Sequence, residues 1–332
     1  MLRQLSLLTL SVLALPSAYA TCQAGAGSPP AHIFTIPAAV ITVDVRAPAD
    51  TSEPIATYYT DTQGSDVFFD NCSTGEMYGK SAINIGTQDP STKIFSTNID
   101  GIGVKVISNN GSAFSDGTLP TTGVMDYSPD TTGSWYFDGG SYYKVQFFKT
   151  KSKLTLTDPN GQEVLPAEEI AYYWLTADSP ANFGQQLNIG QIKLISTPSC
   201  NYDTTQTINF GTLGSKALAA TVERDMLFEM TCSTDYGTYS ANASITTETP
   251  STDSTFIKVT DAAGNSDLMG IKIRDSSGND MKVDGSNTEK IESVESAQPA
   301  QFKWKAVLFP TGTVHPTDGA FSARAEILLQ LK

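Results

Sequence analysis

Apolar and polar residues alternate along positions 321–332 (FSARAEILLQLK). Phe321, Ala323, Ala325, Ile327, Leu329 and Leu331 fall on one side, and Ser322, Arg324, Glu326, Gln330 and Lys332 on the other, with Leu328 the one apolar lapse. A period of two predicts a strand with one buried face. Shorter runs of the same kind recur at 41–45 (ITVDV), 67–72 (VFFDNC), 104–106 (VKV), 143–148 (YKVQFF), 191–194 (QIKL), 227–232 (LFEMTC) and 302–309 (FKWKAVLF). Residues 270–274 (GIKIR) and 281–283 (MKV) flank a polar, glycine-containing stretch, 275–280 (DSSGND), and predict a hairpin. Clusters of Gly, Ser, Thr, Asn, Asp and Pro separate the runs, and these residues supply turn chemistry. No segment keeps a 3.6-residue period with caps at both ends; residues 166–171 (PAEEIA) suit one helical turn. The pattern predicts an all-β chain with enough short strands for two β-sandwich domains.

A boundary is expected at residues 196–199 (STPS), because a proline removes a donor and pushes its predecessor to extended geometry. That gives a first domain over 21–195 and a second over 199–332. The first twenty residues read as a secretory leader: Arg3, a short apolar run over 5–15, and the small-x-small site 18–20 (AYA). The apolar run is too short to span a bilayer, so the expected mature chain starts at Thr21 and is exported.

Export changes the reading of the cysteines. Cys22, Cys72, Cys200 and Cys232 are even in number, and disulfides form in oxidising compartments. Three pairings are possible; the two well-separated groups favour Cys22–Cys72 and Cys200–Cys232. The chain carries 21 Lys and Arg against 35 Asp and Glu, a net charge of −14. This acidity argues against nucleic acid or anionic lipid as a partner, since both call for a basic face.

Catalytic patterns are not found. His32 and His315 belong to no metal-binding or catalytic motif, are read as surface or loop residues, and no GxSxG elbow occurs. No enzyme activity, metal or cofactor is expected. Residues 101–103 (GIG) lack the third glycine and following helix of a phosphate loop.

The second half resembles the pilin domain of chaperone–usher fimbriae. The likeness rests on Cys200 at its opening, Cys232 closing 227–232, residues 268–273 (LMGIKI) with the 275–280 turn, and Gly319 ahead of 321–325 (FSARA). Leu331 departs from that family's usual penultimate aromatic. The resemblance implies an incomplete immunoglobulin-like sandwich that lacks its last strand. It also implies a periplasmic fimbrial chaperone, an outer-membrane usher and a donor strand from the next fimbrial subunit as partners. Phe321, Ala323, Ala325, Ile327, Leu329 and Leu331 would line the acceptor groove, and Lys332 would carry the carboxylate the chaperone holds. The first half is similar to the receptor-binding, lectin-like domains of two-domain fimbrial adhesins, including that of type 3 fimbriae. That likeness rests on residues 95–106 (FSTNIDGIGVKV) and the spacing of Cys22, 41–45, 55–57 (IAT) and Cys72.

With Cys22 so near the expected mature start and a whole domain ahead of the pilin part, the chain is expected to accept a strand and not to donate one. That position is the fimbrial tip, at the cell surface. A tip adhesin binding a host glycan or extracellular-matrix protein is the first expectation; a non-adhesive capping or adaptor subunit is the alternative. Sugar sites pair an aromatic platform with convergent polar groups. The long connection 108–141 holds Asp126, Tyr127, Trp135, Tyr136 and Asp138, with Trp135 and Asp138 foremost for stacking and hydroxyl acceptance. The competing reading packs Trp135 into the sandwich. Residues 172–174 (YYW) and 58–59 (YY) are weaker candidates.

Overall fold

The computed structural model describes residues 22–111, 116–203, 205–214 and 220–332. The expected leader lies outside them. Among the described residues there is no helix; the elements are all strands.

The first half runs β1 (Gln23–Ala24), β2 (His32–Ile36), β3 (Ala39–Asp44), β4 (Ala56–Tyr59), β5 (Val67–Ser73), β6 (Met77–Ala82), β7 (Phe95–Ser96), β8 (Ile102–Asn109), β9 (Gly117–Thr118), β10 (Thr121–Val124), β11 (Thr132–Phe137), β12 (Tyr142–Lys149), β13 (Gln162–Leu165), β14 (Glu168–Leu175), β15 (Phe183–Ile189) and β16 (Ile192–Thr197). The second half runs β17 (Ser199–Tyr202), β18 (Val222–Ser233), β19 (Thr238–Thr246), β20 (Ile257–Val259), β21 (Met269–Arg274), β22 (Asp280–Met281), β23 (Glu289–Glu295), β24 (Pro299–Pro310) and β25 (Glu326–Leu331).

The strands of each half pair among themselves. In the first half, the sheet β10-β6-β14-β15-β2 faces the sheet β4-β12-β8-β7, and a third, β13-β16-β3, continues the first around a corner. The core between them is built from alternate residues such as Val104, Val106, Val145 and Phe147, all fully buried. At the corner two strands change sheets side by side. β2 pairs in parallel with β15, and β3 in parallel with β16. Gly190 makes this close approach possible, because a Cβ there would lie 2.3 Å from the Ala38 nitrogen.

The second half packs β17-β18-β24-β21-β20 against β23-β19-β25. β24 buries Ala300, Phe302, Trp304 and Ala306 and turns Gln301, Lys303 and Lys305 outward. The expected hairpin forms: β21 pairs with β22 across a turn in which Gly278 takes φ +86° and Asp275 accepts from the Ser277 and Asn279 amides. Both disulfides form as expected, Cys22–Cys72 and Cys200–Cys232.

Two local expectations turn out differently. Residues 168–171, read as part of a helical turn, lie in β14, where pairing with β6 and β15 on both sides overrides local preference. His32 is a half-buried residue of β2, not of a loop, and its ring sits 4.4 Å from that of Phe34. The stretch 196–199 is strand on both sides, with Pro198 alone between β16 and β17. Ser196 is buried there: its Oγ donates to Asp235 Oδ2 at 2.6 Å, and its amide donates to the Tyr236 hydroxyl at 3.0 Å. Asp235 also accepts from the Leu154 amide at 3.0 Å, and its carbonyl from the Leu156 amide at 2.9 Å. A buried carboxylate and a tyrosine from the β18–β19 turn thus tie the second half to the first.

Candidate functional site

The connection between β8 and β12 is not one open loop, since it carries β9, β10 and β11. Trp135, on β11, is half-buried. Its ring lies 4.4 Å from Tyr78 and edge-on to Tyr173 at 6.4 Å, against the cluster that holds Cys72, Met125 and Phe137. Its indole N–H is buried without a partner. Tyr127 joins the same cluster, its hydroxyl 3.7 Å from Met125 Sδ, and its phenol is raised above the usual range, first by burial and then by Glu76. Tyr136 stands next to Trp135 on the strand and is 61% exposed. The two carboxylates shape turns: Asp126 accepts from the Ser128 amide at 3.0 Å and Asp138 from the Gly140 amide at 2.7 Å. Asp126 sits before β11 and Asp138 after it, separated by a six-residue strand rising about 3.3 Å per residue. The five residues therefore share one strand region without converging on one point.

The weaker candidates divide. Tyr172, Tyr173 and Trp174 are core; the Tyr172 hydroxyl donates to Asp178 and the Trp174 indole to Ser81. Tyr59 is 60% exposed and pairs with Tyr142, ring centroids 6.3 Å apart. Between them on the same outward face, Lys144 is opposite Tyr59 in register and bridges to Asp116. Asn109, opposite Tyr142, donates to Asp116 at 2.9 Å. Hydrogen bonds from Asn109 and Lys144 hold the Asp116 carboxyl below its usual range, and the same bond raises Lys144. This face joins the exposed Tyr59 and the half-buried Tyr142 to three polar side chains. Tyr142 and Asp116 escape sequence reading because strand register alone brings them beside Tyr59.

In the second half, the strand expected over the whole of 321–332 is realised only at β25. Phe321 to Ala325 runs across to the other sheet, where Ser322 bridges Thr260, and β25 then pairs with β19. Among the described residues β19 is the only strand paired with β25, so its other edge is open. Ile327, Leu329 and Leu331 face the core cluster yet stay half-buried, as do Phe321 and Ala323, while Ala325 and Lys332 are exposed. A cleft of about 580 Å³ lies between residues 207–213 and 316–321, floored by Met269. Phe210 is buried against this core, its ring 6.5 Å from Phe321.

An all-β chain with an uncovered terminal strand and a disulfide joining the first two strands of its second half has a counterpart among known families. Residues 189–332 match the family of fimbrial proteins. Solved structures similar to the chain include the receptor-binding domain of the adhesin MrkD1P of Klebsiella pneumoniae, at 18% identity and a TM-score of 0.40, covering 57% of this chain and 99% of that one. The CupB6 tip adhesin of Pseudomonas aeruginosa is similar at 13% identity and a TM-score of 0.34, over 93% and 94% of the two chains. CfaE, the adhesive subunit of CFA/I fimbria of enterotoxigenic Escherichia coli, is similar at 7% identity and a TM-score of 0.35, over 91% and 93%. The curated proteins give no match. The resemblance to fimbrial proteins read from the sequence is thus found again by independent comparison.

Proposed function

We propose that the chain is a two-domain tip adhesin of a chaperone–usher fimbria, exported through the periplasm to the cell surface, with no enzymatic role. Residues 21–195 bind a host glycan or matrix protein, and residues 199–332 join the fimbria by accepting a donor strand. The observation that carries this reading is β25, whose inward side chains are apolar but half-covered and whose outer edge is open. Such an edge is an aggregation hazard that strand addition removes, with main-chain hydrogen bonds giving affinity and alternate pockets giving register. A periplasmic chaperone would cover it first, and the usher would exchange that strand for the next subunit's. The test is co-expression with and without the chaperone. The chain should be recovered soluble and bound to the chaperone in the first case and aggregate in the second; a stable, monomeric chain that binds neither chaperone nor donor peptide would exclude the acceptor role. Receptor binding is tested with the full chain on glycan and matrix-protein panels.

The capping or adaptor reading has one observation in its favour: Trp135, the foremost aromatic of the 108–141 connection, packs on Tyr78 and is half-buried. A Trp135→Ala chain that keeps receptor binding would move the site elsewhere in the first half, and a folded chain that binds nothing on either panel would favour the cap.

A further inference from the structure

Lys80, on β6, is 7% exposed. Its Nζ donates to Asn110 Oδ1 at 2.7 Å and lies 4.8 Å from the centroid of the Tyr173 ring. An ammonium only donates, so the contact turns the oxygen of the Asn110 amide toward the lysine. Neither neighbour carries a charge, and none of the ion pairs among the described residues includes Lys80. A buried charge without a counter-charge is costly, and burial lowers its pKa to about 8. At neutral pH the amine is therefore still mostly protonated.

The residue that meets Lys80 is the first of an Asn-Gly pair. Gly111 takes φ +78°, a conformation glycine adopts without strain. A Cβ at Gly111 would lie 2.2 Å from Asp138 Oδ1, so that carboxylate rests directly against the Gly111 backbone. With no side chain in the way, the Gly111 nitrogen is free to close a five-membered ring onto the side-chain carbon of Asn110. That nitrogen at present donates to Asn109 Oδ1 at 2.9 Å, a bond it gives up when it turns. Three groups thus surround one half-buried amide. An ammonium holds its oxygen, a backbone nitrogen stands beside its carbon, and a carboxylate lies next to that nitrogen's residue.

We propose that Asn110 is a modification site, where the encoded amide is exchanged for a carboxylate that gives Lys80 its counter-charge. The Gly111 nitrogen attacks Asn110 Cγ and passes its proton to Asp138. Lys80 stabilises the negative charge that develops on Oδ1. The Cγ–Nδ2 bond breaks, Asp138 returns the proton to Nδ2, ammonia leaves, and a cyclic imide remains. Water then adds to the same Cγ, the carbonyl that Lys80 polarises. The bond from Cγ to the Gly111 nitrogen breaks, that nitrogen regains a proton, and the new acid at 110 releases one to solvent. Addition at the imide's other carbonyl would give isoaspartate, which an unbiased imide also yields. The Lys80 charge thus favours the exchange and also selects aspartate as its product. A paired ion replaces an unpaired one. The chain's other Asn-Gly pair, Asn160–Gly161, sits in an exposed turn before β13 and serves as an internal comparison.

The experiment holds the full, freshly made chain at neutral pH and samples it over weeks. Peptide mapping by mass spectrometry separates the amide, aspartyl and isoaspartyl forms of both Asn-Gly pairs. A sample unfolded in urea gives the rates without the fold, and Lys80→Met removes the ammonium, with circular dichroism to check its folding. The expected result is conversion of Asn110 to aspartate, faster in the folded chain than in urea. In Lys80→Met it should be roughly tenfold slower or more and yield mainly isoaspartate, while Asn160 behaves alike in both chains. The encoded product, Asn110→Asp, should melt above the freshly made parent. The proposal is overturned if Asn110 stays an amide in the folded chain or converts no faster there than in urea. It is overturned equally if Lys80→Met leaves rate and product unchanged, or if Asn110→Asp melts no higher than the parent. Loss of ammonia with residues 80 and 110 joined would also overturn it, by making Lys80 itself the attacking group.

Discussion

Lys80 is the residue whose protonation the fold opposes most clearly. Its pKa falls from 10.5 to about 8, because burial disfavours the ammonium. Below pH 8 both folded and unfolded chains hold the proton, and stability does not change with pH on this account. Between pH 8 and 10.5 the unfolded chain still holds a proton that the folded chain has released, so the folded chain gains stability as pH rises. Thermal unfolding followed across that interval should show the rise in the parent chain and a flatter profile in Lys80→Met. At pH 7 the variant should be the more stable, by an amount on the order of 1–3 kcal/mol. The sequence hid this residue, because nothing in 77–82 (MYGKSA) distinguishes a lysine that points inward from one in solvent. Only the register that places Lys80 opposite Tyr173 does so. Trp135 was visible as an aromatic, but its packing on Tyr78 depends on pairing between β5 and β11, which no local pattern records.

Elements were more legible than residues. Strands with one clean buried face, such as β3, β12 and β24, were written in the alternation itself, and the β21–β22 hairpin in its turn residues. What failed was whatever long-range contact decides: residues 168–171 became strand between two neighbours, and the last alternating run broke where the chain changes sheets. At this scale β25 carries the main prediction. Leu329→Asp places a charge against the apolar core under β25, and on the proposed reading the variant should no longer co-purify with the chaperone, while Leu328→Asp, on the exposed face, should still do so. Equal recovery of both would remove β25 from the assembly surface. The Cys200–Cys232 bond closes a loop across a sequence separation of 32. Replacing both cysteines by serine should lower stability by roughly 2–4 kcal/mol, read by calorimetry on the chaperone-bound chain.

For the whole molecule the informative residue is Asp235. Its carboxylate is buried and accepts from Leu154 and Ser196, both in the first half. Asp235→Ala leaves those donors without their acceptor and should destabilise the chain by about 2 kcal/mol. It should also loosen the join: limited proteolysis should cut near Pro198 in the variant and spare the parent, and small-angle scattering should report a larger radius. The proline marked a change of domain in the sequence, but the carboxylate that holds the join came from a turn about forty residues further on and left no trace near it.

The parallel corner sets how such a molecule answers a pull. Tension applied through the second half enters the first at the end of β16, which lies alongside β3 over Ile192–Thr197 and Ala39–Asp44. Because the two run in the same direction, the tug acts along their shared length, and the rungs between them stretch together instead of parting one after another like a zip. On the adhesin reading proposed above, a cell moored by this chain in flowing liquid would be held by a seam that yields all at once or not at all, and an optical trap would see one abrupt lengthening in place of a staircase.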